Sequence, residues 1–554
     1  MPNYRIVNHI IEIEDIETGN YASFCEEVAV TKVTVDLITQ QQWVDVTVYA
    51  NPAPASLRLP RKELGRNLLP TLIGYGLSVI DNKEQTDFIL EVLFDSMSSA
   101  PRFFVHTRLG FHTVDGEQVF LAHHPIGTID PIKAKSEFVV PSKTKPSGSF
   151  ESWTKLIHKD VLGKKHLELA LALSVTAPIA HLLREANLIS LLPLWALIGK
   201  SSTGKTTAMK VMASIWGSPE ESSGLIPDLN ATQNAFFAQL ADMGGIPALI
   251  DETSCVPEWD FGKVIYNLPK GREKLRCNSE GRVRDPAYFS GAIVLTGERS
   301  LFDQTNGNAG LAARLVEFTL PWTDDASHAQ RLEVGVRSEY GTAVYPLMTW
   351  ILANKKVIPK IWKGQYEALR REFPTTSGVE DRLIKMYAII LTAASVIKKS
   401  LNLPLSTRTM RELLLEVHDA NPQIKNDPEV VFEKVKLQIL QNFAHFPRAE
   451  LAMHARTVWG EQRTQNGTDV LWISAAKFEE FLASAGVKDL DSMKHLFFKN
   501  GWLDRSSDRH YKFLHALGGI KVRCYRLFMK FECAQSTQTM RSTNSKLNYL
   551  LNDD

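Results

Sequence analysis

One stretch of this 554-residue chain orders its residue types for a single kind of chemistry. LPLWALIGKSSTGKTT places Gly199, Gly204, Lys205 and Thr206 in the spacing G-x-x-x-x-G-K-T. An apolar run enters the loop and an amphipathic helical pattern leaves it, the context the motif requires. Glycines let backbone N–H groups curl around phosphate oxygens, and the helix that follows offers its positive N-terminal end. Gly199, Lys200, Ser201, Ser202, Thr203, Gly204, Lys205, Thr206 and Thr207 are therefore expected to cradle the phosphates of ATP. Lys205 would neutralise the β- and γ-phosphates, and the Thr206 hydroxyl would ligate Mg²⁺. A Gly- and Ser-rich turn with no ligand is the plain alternative, and it leaves the flanks unexplained.

A second signal, an acidic one, lies 46 residues beyond the lysine. The apolar run Ile246–Ile250 ends on Asp251-Glu252, and a carboxylate at the carboxyl end of a strand faces the ligand crevice of an open α/β sheet. Asp251 would hold Mg²⁺ through water, and Glu252 would polarise the attacking water. Another buried run, Ala292–Leu295, ends on Thr296-Gly297-Glu298. A hydroxyl there could orient that water; Glu298 could do so instead. Arg314, in GNAGLAARLVEF, is placed to reach a γ-phosphate on a neighbouring subunit, with Arg299 as the weaker candidate and a surface ion pair as the plain reading.

Between the acidic pair and the sensor run, Lys270, Arg272, Lys274, Arg276, Arg282 and Arg284 recur at alternate positions around Cys277–Gly281. Period two puts side chains on one face of a strand, so this reads as a cationic hairpin suited to a nucleic-acid backbone. A solvated charged face is the alternative.

The elements that must position these groups follow from hydrophobic period. Alternating runs at Tyr4–Ile13, Val28–Leu37 and Trp43–Tyr49 predict strands. Helices are expected over Lys62–Leu77 and Glu84–Ser96. Phe103–His106 and Gln118–Leu121 read as strands about a turn at Asp115-Gly116. PSKTKPSGS at Pro141–Ser149 reads as a linker. Helical patterning follows from Phe150 to Asn187. Then strand Leu194–Ile198, helix Gly204–Trp216, helix Thr232–Asp242 and the strands above alternate as a helix-covered, mostly parallel sheet. Residues 345–445 read as helical. Near the end, a helix at Ser474–Ala485, a helix at Leu490–Lys499 and a hairpin with Arg505, Arg509, Lys512, Lys521, Arg523 and Arg526 suggest a winged helix that binds DNA or docks protein. The tail from Gln535 is polar and reads as disordered.

Composition sets limits. The formal net charge is +1, with 44% hydrophobic and 23% charged residues, so nucleic-acid contact must come from a local patch. Five scattered cysteines show no C-x-x-C pair, which fits neither a zinc framework nor a disulfide scaffold. The start lacks a signal-peptide pattern, and the apolar stretches Leu167–Ala180 and Leu188–Ile198 read as too short or too interrupted for the ~20 residues a bilayer needs. We expect a cytoplasmic chain with no membrane partner.

The combination WALIGKSSTGKTT, LIDET, LTGE and GLAARL, with RLGFH at Arg108–His112 upstream, resembles the domain-of-unknown-function family numbered 927 over roughly residues 90–325. These are helicase-like phosphate-loop ATPases of prophages and mobile elements, related in fold to AAA+ proteins and superfamily 3 helicases. The resemblance implies an α/β ATPase core and a hexameric ring with Arg314 acting in trans. Superfamily 3 helicases usually carry Asn at the sensor, where this chain has Thr296. The expected organisation is a β-rich domain at 1–145, the ATPase core at 150–340, a helical region at 341–450, a winged-helix module at 451–533 and a tail at 534–554. The functional expectation is a motor on nucleic acid, DNA rather than RNA, with a protein partner for the N-terminal domain. The rivals are an ATP-dependent switch or scaffold, as in an anti-phage module, and a remodeller of proteins.

Overall fold

The computed structural model describes residues 3–221, 223–227, 240, 243–251, 267–271, 276–277, 283–284, 288–301, 314–373, 378–420, 428–452, 457–465, 468–487, 490–506 and 510–528. Most of the expected helix Thr232–Asp242, and all of the polar tail, lie outside these residues.

The first alternating run is two strands, not one. Tyr4–Val7 and Ile10–Glu14 pair antiparallel because Asn8 and His9 take positive φ, 50° and 61°, and turn the chain back. Tyr21–Glu26 completes this three-stranded sheet. A five-stranded sheet follows, in the order Glu137–Phe138, Arg102–His106, Val28–Asp36, Gln42–Val48, Ala55–Pro60. The helix Lys83–Ser99, capped by the Asn82 side chain, packs on it. The stretch Lys62–Leu77 is not a single helix. Extended Gly65 separates two short 3-10 turns, and Pro70 allows only the brief helix Leu69–Gly74 to begin there.

The turn at Asp115-Gly116 joins Leu109–Val114 to Glu117–Leu121, a hairpin whose first strand the sequence reading missed. This sheet runs on into the core: Met243–Gly244 pairs in parallel with Leu109–Gly110. Gly110 is required at that join. Its φ is +84°, and a Cβ would lie 1.7 Å from the Gly244 carbonyl oxygen. Pro141–Ser149 is packed rather than slack. The Lys143 carbonyl accepts from the Ser218 amide at 2.9 Å, and Ser147 exchanges backbone bonds with Tyr340.

The core is a parallel sheet ordered Ala248–Ile250, Ile293–Gly297, Leu194–Ile198, Leu315–Phe318. Its strands are apolar on both faces: one packs on the helices Lys165–Glu185 and Lys205–Ser214, and the other meets Leu240, Leu268, Phe289 and Leu301. The helix Lys165–Glu185 is, among the described residues, long and apolar enough to cross a membrane. Here it is the central core helix, packed against Lys205–Ser214 and Gly378–Ser400. Its buried hydroxyls satisfy buried indoles. Ser174 accepts from Trp216 Nε1 at 2.9 Å, and Thr176 accepts from Trp195 Nε1 at 2.9 Å.

The expected C-terminal pair of helices is Ala475–Ser484 and Leu490–Lys499. They pack on an antiparallel sheet ordered Gly460–Gln465, Thr468–Ser474, Ile520–Phe528, Phe513–Leu517. Ser474 stands at the N-cap but makes no capping bond.

Candidate functional site

The loop after Leu194–Ile198 keeps its shape through its own backbone. Ser202 and Gly204 take φ of 64° and 80°, and the helix Lys205–Ser214 starts directly afterwards. Gly199 donates its amide to the Gly297 carbonyl at 3.1 Å, tying the loop to the neighbouring strand. Ser201 and Ser202 are exposed at the rim, beside exposed Lys200, while Thr203 and Thr206 are half-buried.

Lys205 is only 7% exposed. Its ammonium donates to the carbonyls of Gly199 and Lys200, both at 2.8 Å. Among the described residues no carboxylate pairs with it. A buried cation held by neutral carbonyls alone is suited to receive an anion. Thr207 turns away from the loop and donates to Glu333 Oε1 at 2.8 Å. Glu333 also approaches Lys210, at 3.7 Å, so the helix Ala326–Ser338 is fastened to the helix that follows the loop.

Sequence reasoning missed the strap across this loop. The Trp322 amide donates to the Thr203 carbonyl at 2.8 Å. A Cβ on Gly204 would lie 2.5 Å from Thr323 Oγ1. Trp322 and Thr323 follow the last core strand with no local motif; only their packing identifies them.

Asp251 and Thr296 meet. The strand Ile293–Gly297 lies between the loop strand and the strand ending at Ile250, with Ile250 opposite Leu295. The buried Thr296 hydroxyl donates to Asp251 Oδ1 at 2.5 Å. Glu298 and Arg299 are exposed just beyond. Glu252 lies outside the described residues.

Arg314 sits at the other end of the sheet. The next residue, Leu315, is level with Leu194, so Arg314 precedes the strand end remote from the loop. Five residues of strand at about 3.3 Å each separate those levels by roughly 16 Å. Arg314 therefore does not join its own chain's loop.

The basic insert is an antiparallel pair at its described base. Arg276 stands opposite Arg284, and Cys277 opposite Val283. Arg272, Lys274 and Arg282 lie outside the described residues. Lys270 departs from the expectation: it belongs to the 3-10 turn Leu268–Lys270, not to the strand. Pro269 favours that turn, and left-handed Gly271 redirects the chain after it. The Lys270 ammonium bonds Asn267 Oδ1 at 3.0 Å. Arg184, from the core helix, grips this base through the Lys270 and Phe289 carbonyls at 2.8 and 3.2 Å.

The C-terminal basic group is partly neutralised. Lys512 pairs with Glu479 at 2.8 Å and Arg526 with Asp504 at 2.7 Å, while Arg505 lies over the Phe498 ring. Lys521 and Arg523 are exposed, and Arg509 lies outside the described residues.

Comparison with known proteins bears on this arrangement. The family model described as "Domain of unknown function (DUF927)" matches residues 8–287, which extends the likeness well upstream of residue 90. No match was found among curated proteins. A solved structure described as "SCCmec type IV Cch - active helicase" superposes with a TM-score of 0.64 at 18% identity, covering 96% of this chain and 98% of that one. The NrS-1 C-terminal region gives a TM-score of 0.29 at 9% identity, covering 89% of this chain and 95% of its own. An inhibitor-bound JCV helicase gives 0.20 at 15% identity, covering 43% and 71%. The first of these likenesses fixes the fold: a helicase-like α/β core.

Proposed function

The chain belongs to the family described as domain of unknown function 927, and from that premise we propose that it is an ATP-driven motor on nucleic acid. The observation that carries this reading is the buried Lys205 ammonium, held by two carbonyls at the mouth of the loop. ATP would lie along residues 199–207, with its phosphates on the loop amides and Lys205. Thr206 and Asp251 would hold Mg²⁺, which when bound neutralises charge on the phosphates. The Thr296 hydroxyl, already bonded to Asp251, would keep that carboxylate aimed at the site. Glu252 would take the proton of the attacking water. Arg314, remote from its own loop, suits action on a neighbouring subunit, and that placement favours a ring.

The hairpin based on Arg276 and Arg284 supplies the load. It grows from the segment between the Asp251 strand and the Thr296 strand, and Arg184 holds its root to the core helix. Movement at the nucleotide would thus reach a cationic surface. The likeness to a protein described as an active helicase supports the same reading, as does a C-terminal module with the helices and hairpin of a winged helix. We divide the chain functionally at residues 145–150, 340 and 450, and place it in the cytoplasm.

The test is strand separation. A forked DNA duplex with a labelled strand should open in Mg·ATP and stay closed with a non-hydrolysable analogue. Charge reversal at Arg272, Lys274 and Arg276 should weaken DNA binding and make it less salt-dependent. Normal hydrolysis with an unopened fork and unchanged DNA binding would refute the motor and favour the switch or scaffold.

A further inference from the structure

Away from the phosphate loop, three metal-ligating side chains meet where two sheets join. His123 and His124 link the strand Glu117–Leu121 to Pro125–Ile126. Glu137 opens the strand Glu137–Phe138, the edge of the five-stranded sheet. One ligand atom from each lies within 4.8 Å of the other two.

The hydrogen bonds around the cluster set which nitrogens are available. His124 Nδ1 lies 3.0 Å from the Ser136 carbonyl, which can only accept. That nitrogen therefore carries the proton, and the Nε2 lone pair is left for a ligand. This is the outer bond that orients a metal-bound imidazole. His123 is 4% exposed, and its buried Nδ1 has no hydrogen-bond partner. An orphaned imidazole nitrogen in a packed interior calls for a proton donor or a metal.

The backbone on either side is pinned. The Phe138 amide donates to the His123 carbonyl at 3.0 Å, holding Glu137 beside the histidines. The buried His106 ring bridges the two flanks. Its Nε2 donates to the Ala122 carbonyl at 2.8 Å, so its Nδ1 accepts from the Ser136 hydroxyl at 2.9 Å. Residues just before the ligands on both sides are thus fixed by a third histidine that is itself fully bonded.

We propose that His123, His124 and Glu137 form a binding site for a zinc-like divalent cation that staples the sheet of Glu117–Leu121 to the five-stranded sheet. Two imidazoles and one carboxylate suit a borderline transition metal better than Mg²⁺ or Ca²⁺, which prefer oxygen alone. Water completes the tetrahedron. Bonds of about 2.0–2.1 Å place tetrahedral ligands roughly 3.3 Å apart, so atoms already within 4.8 Å of one another need at most a small closure on binding. Glu137 is exposed and can supply that movement by changing rotamer. The role is structural: the ligands come from different sheets, and none belongs to the nucleotide site.

The test uses the full chain, stripped with EDTA and free of nucleotide so that the Thr206–Asp251 site is not offered Mg·ATP. Co²⁺ should give the visible absorption of a four-coordinate ion at one equivalent, and Zn²⁺ should abolish it by displacement. H124A and E137Q should lose the band while circular dichroism and ATP binding stay as in the parent. E137Q changes one exposed group, so it keeps the test sound should H124A misfold. Substoichiometric binding of both metals, or a band that persists in E137Q and H124A, would overturn the site and mark the ion as adventitious.

Discussion

Thr296 lies on a core strand, Asp251 follows the next one, and Lys205 opens the helix after a third, so each depends on the neighbouring strand for its place. The Lys205 ammonium is folded back on the carbonyls of its own loop, so an arriving γ-phosphate would exchange neutral partners for a charged one. Thr296 has no room to act far from Asp251: it is fully buried, and its hydroxyl is committed to that carboxylate. T296V should therefore retain ATP affinity and lose turnover by about tenfold or more, the cost of roughly one charge-assisted hydrogen bond. Equilibrium nucleotide binding and phosphate release measured on the same sample separate the two. Glu252 carries a different expectation. Removing a general base costs typically ~10²–10⁴ in rate, so E252Q should bind ATP and hold it. Rapid turnover by E252Q would assign the base to another group, with Glu298 next in line.

At the scale of elements, the site depends on a join between sheets. Leu109–Val114 abuts the chain that leads into the Asp251 strand, and Gly110 fits there only without a side chain. Beside it the Phe111 ring stacks on His181 of the core helix, centroids 4.3 Å apart. G110A combines a backbone collision with an unfavourable φ, so it should cost at least about 2 kcal/mol and lower the melting temperature. Because Met243–Gly244 would shift with it, turnover should fall as well; a melting curve equal to the parent's would show the join to be loose. Much at this scale was legible in sequence. The loop strand and its helix are marked by an apolar run and a glycine motif within a few residues. Asn8-His9 was harder, since neither residue is a glycine and the run alternates straight through them. Lys270 was misplaced on a strand because period two ignores what Pro269 and Gly271 do to the backbone. Trp322 and Thr323 left no trace at all: their role exists only once the last core strand has brought them over the loop.

At the scale of the whole molecule, the core helix anchors one buried cluster that reaches from the hairpin sheet to the long C-terminal helices, while the N-terminal sheet and the C-terminal module each bury a core of their own. Lys165–Glu185 touches the loop helix on one side and the long helix Gly378–Ser400 on the other, and Arg184 at its end holds the root of the basic hairpin. Stability of that cluster should depend on pH through His418. Burial against Phe373 and Tyr387 pushes its imidazole from the ordinary 6.5 down to about 4. The unfolded chain takes up the proton first as pH falls. The stabilising effect is therefore complete above pH 6.5 and is lost between 6.5 and about 4, amounting to about 3 kcal/mol. Melting temperatures across that range should decline, and H418L should decline less steeply; parallel slopes would remove His418 as the cause.

The central claim couples ATP turnover to nucleic acid, and steady-state phosphate release with and without single-stranded DNA tests it most directly. The account predicts Mg²⁺-dependent hydrolysis that rises severalfold with DNA, loses that rise when Arg272, Lys274 and Arg276 are reversed in charge, and vanishes in K205A. Turnover that DNA leaves unchanged in the parent chain would contradict it.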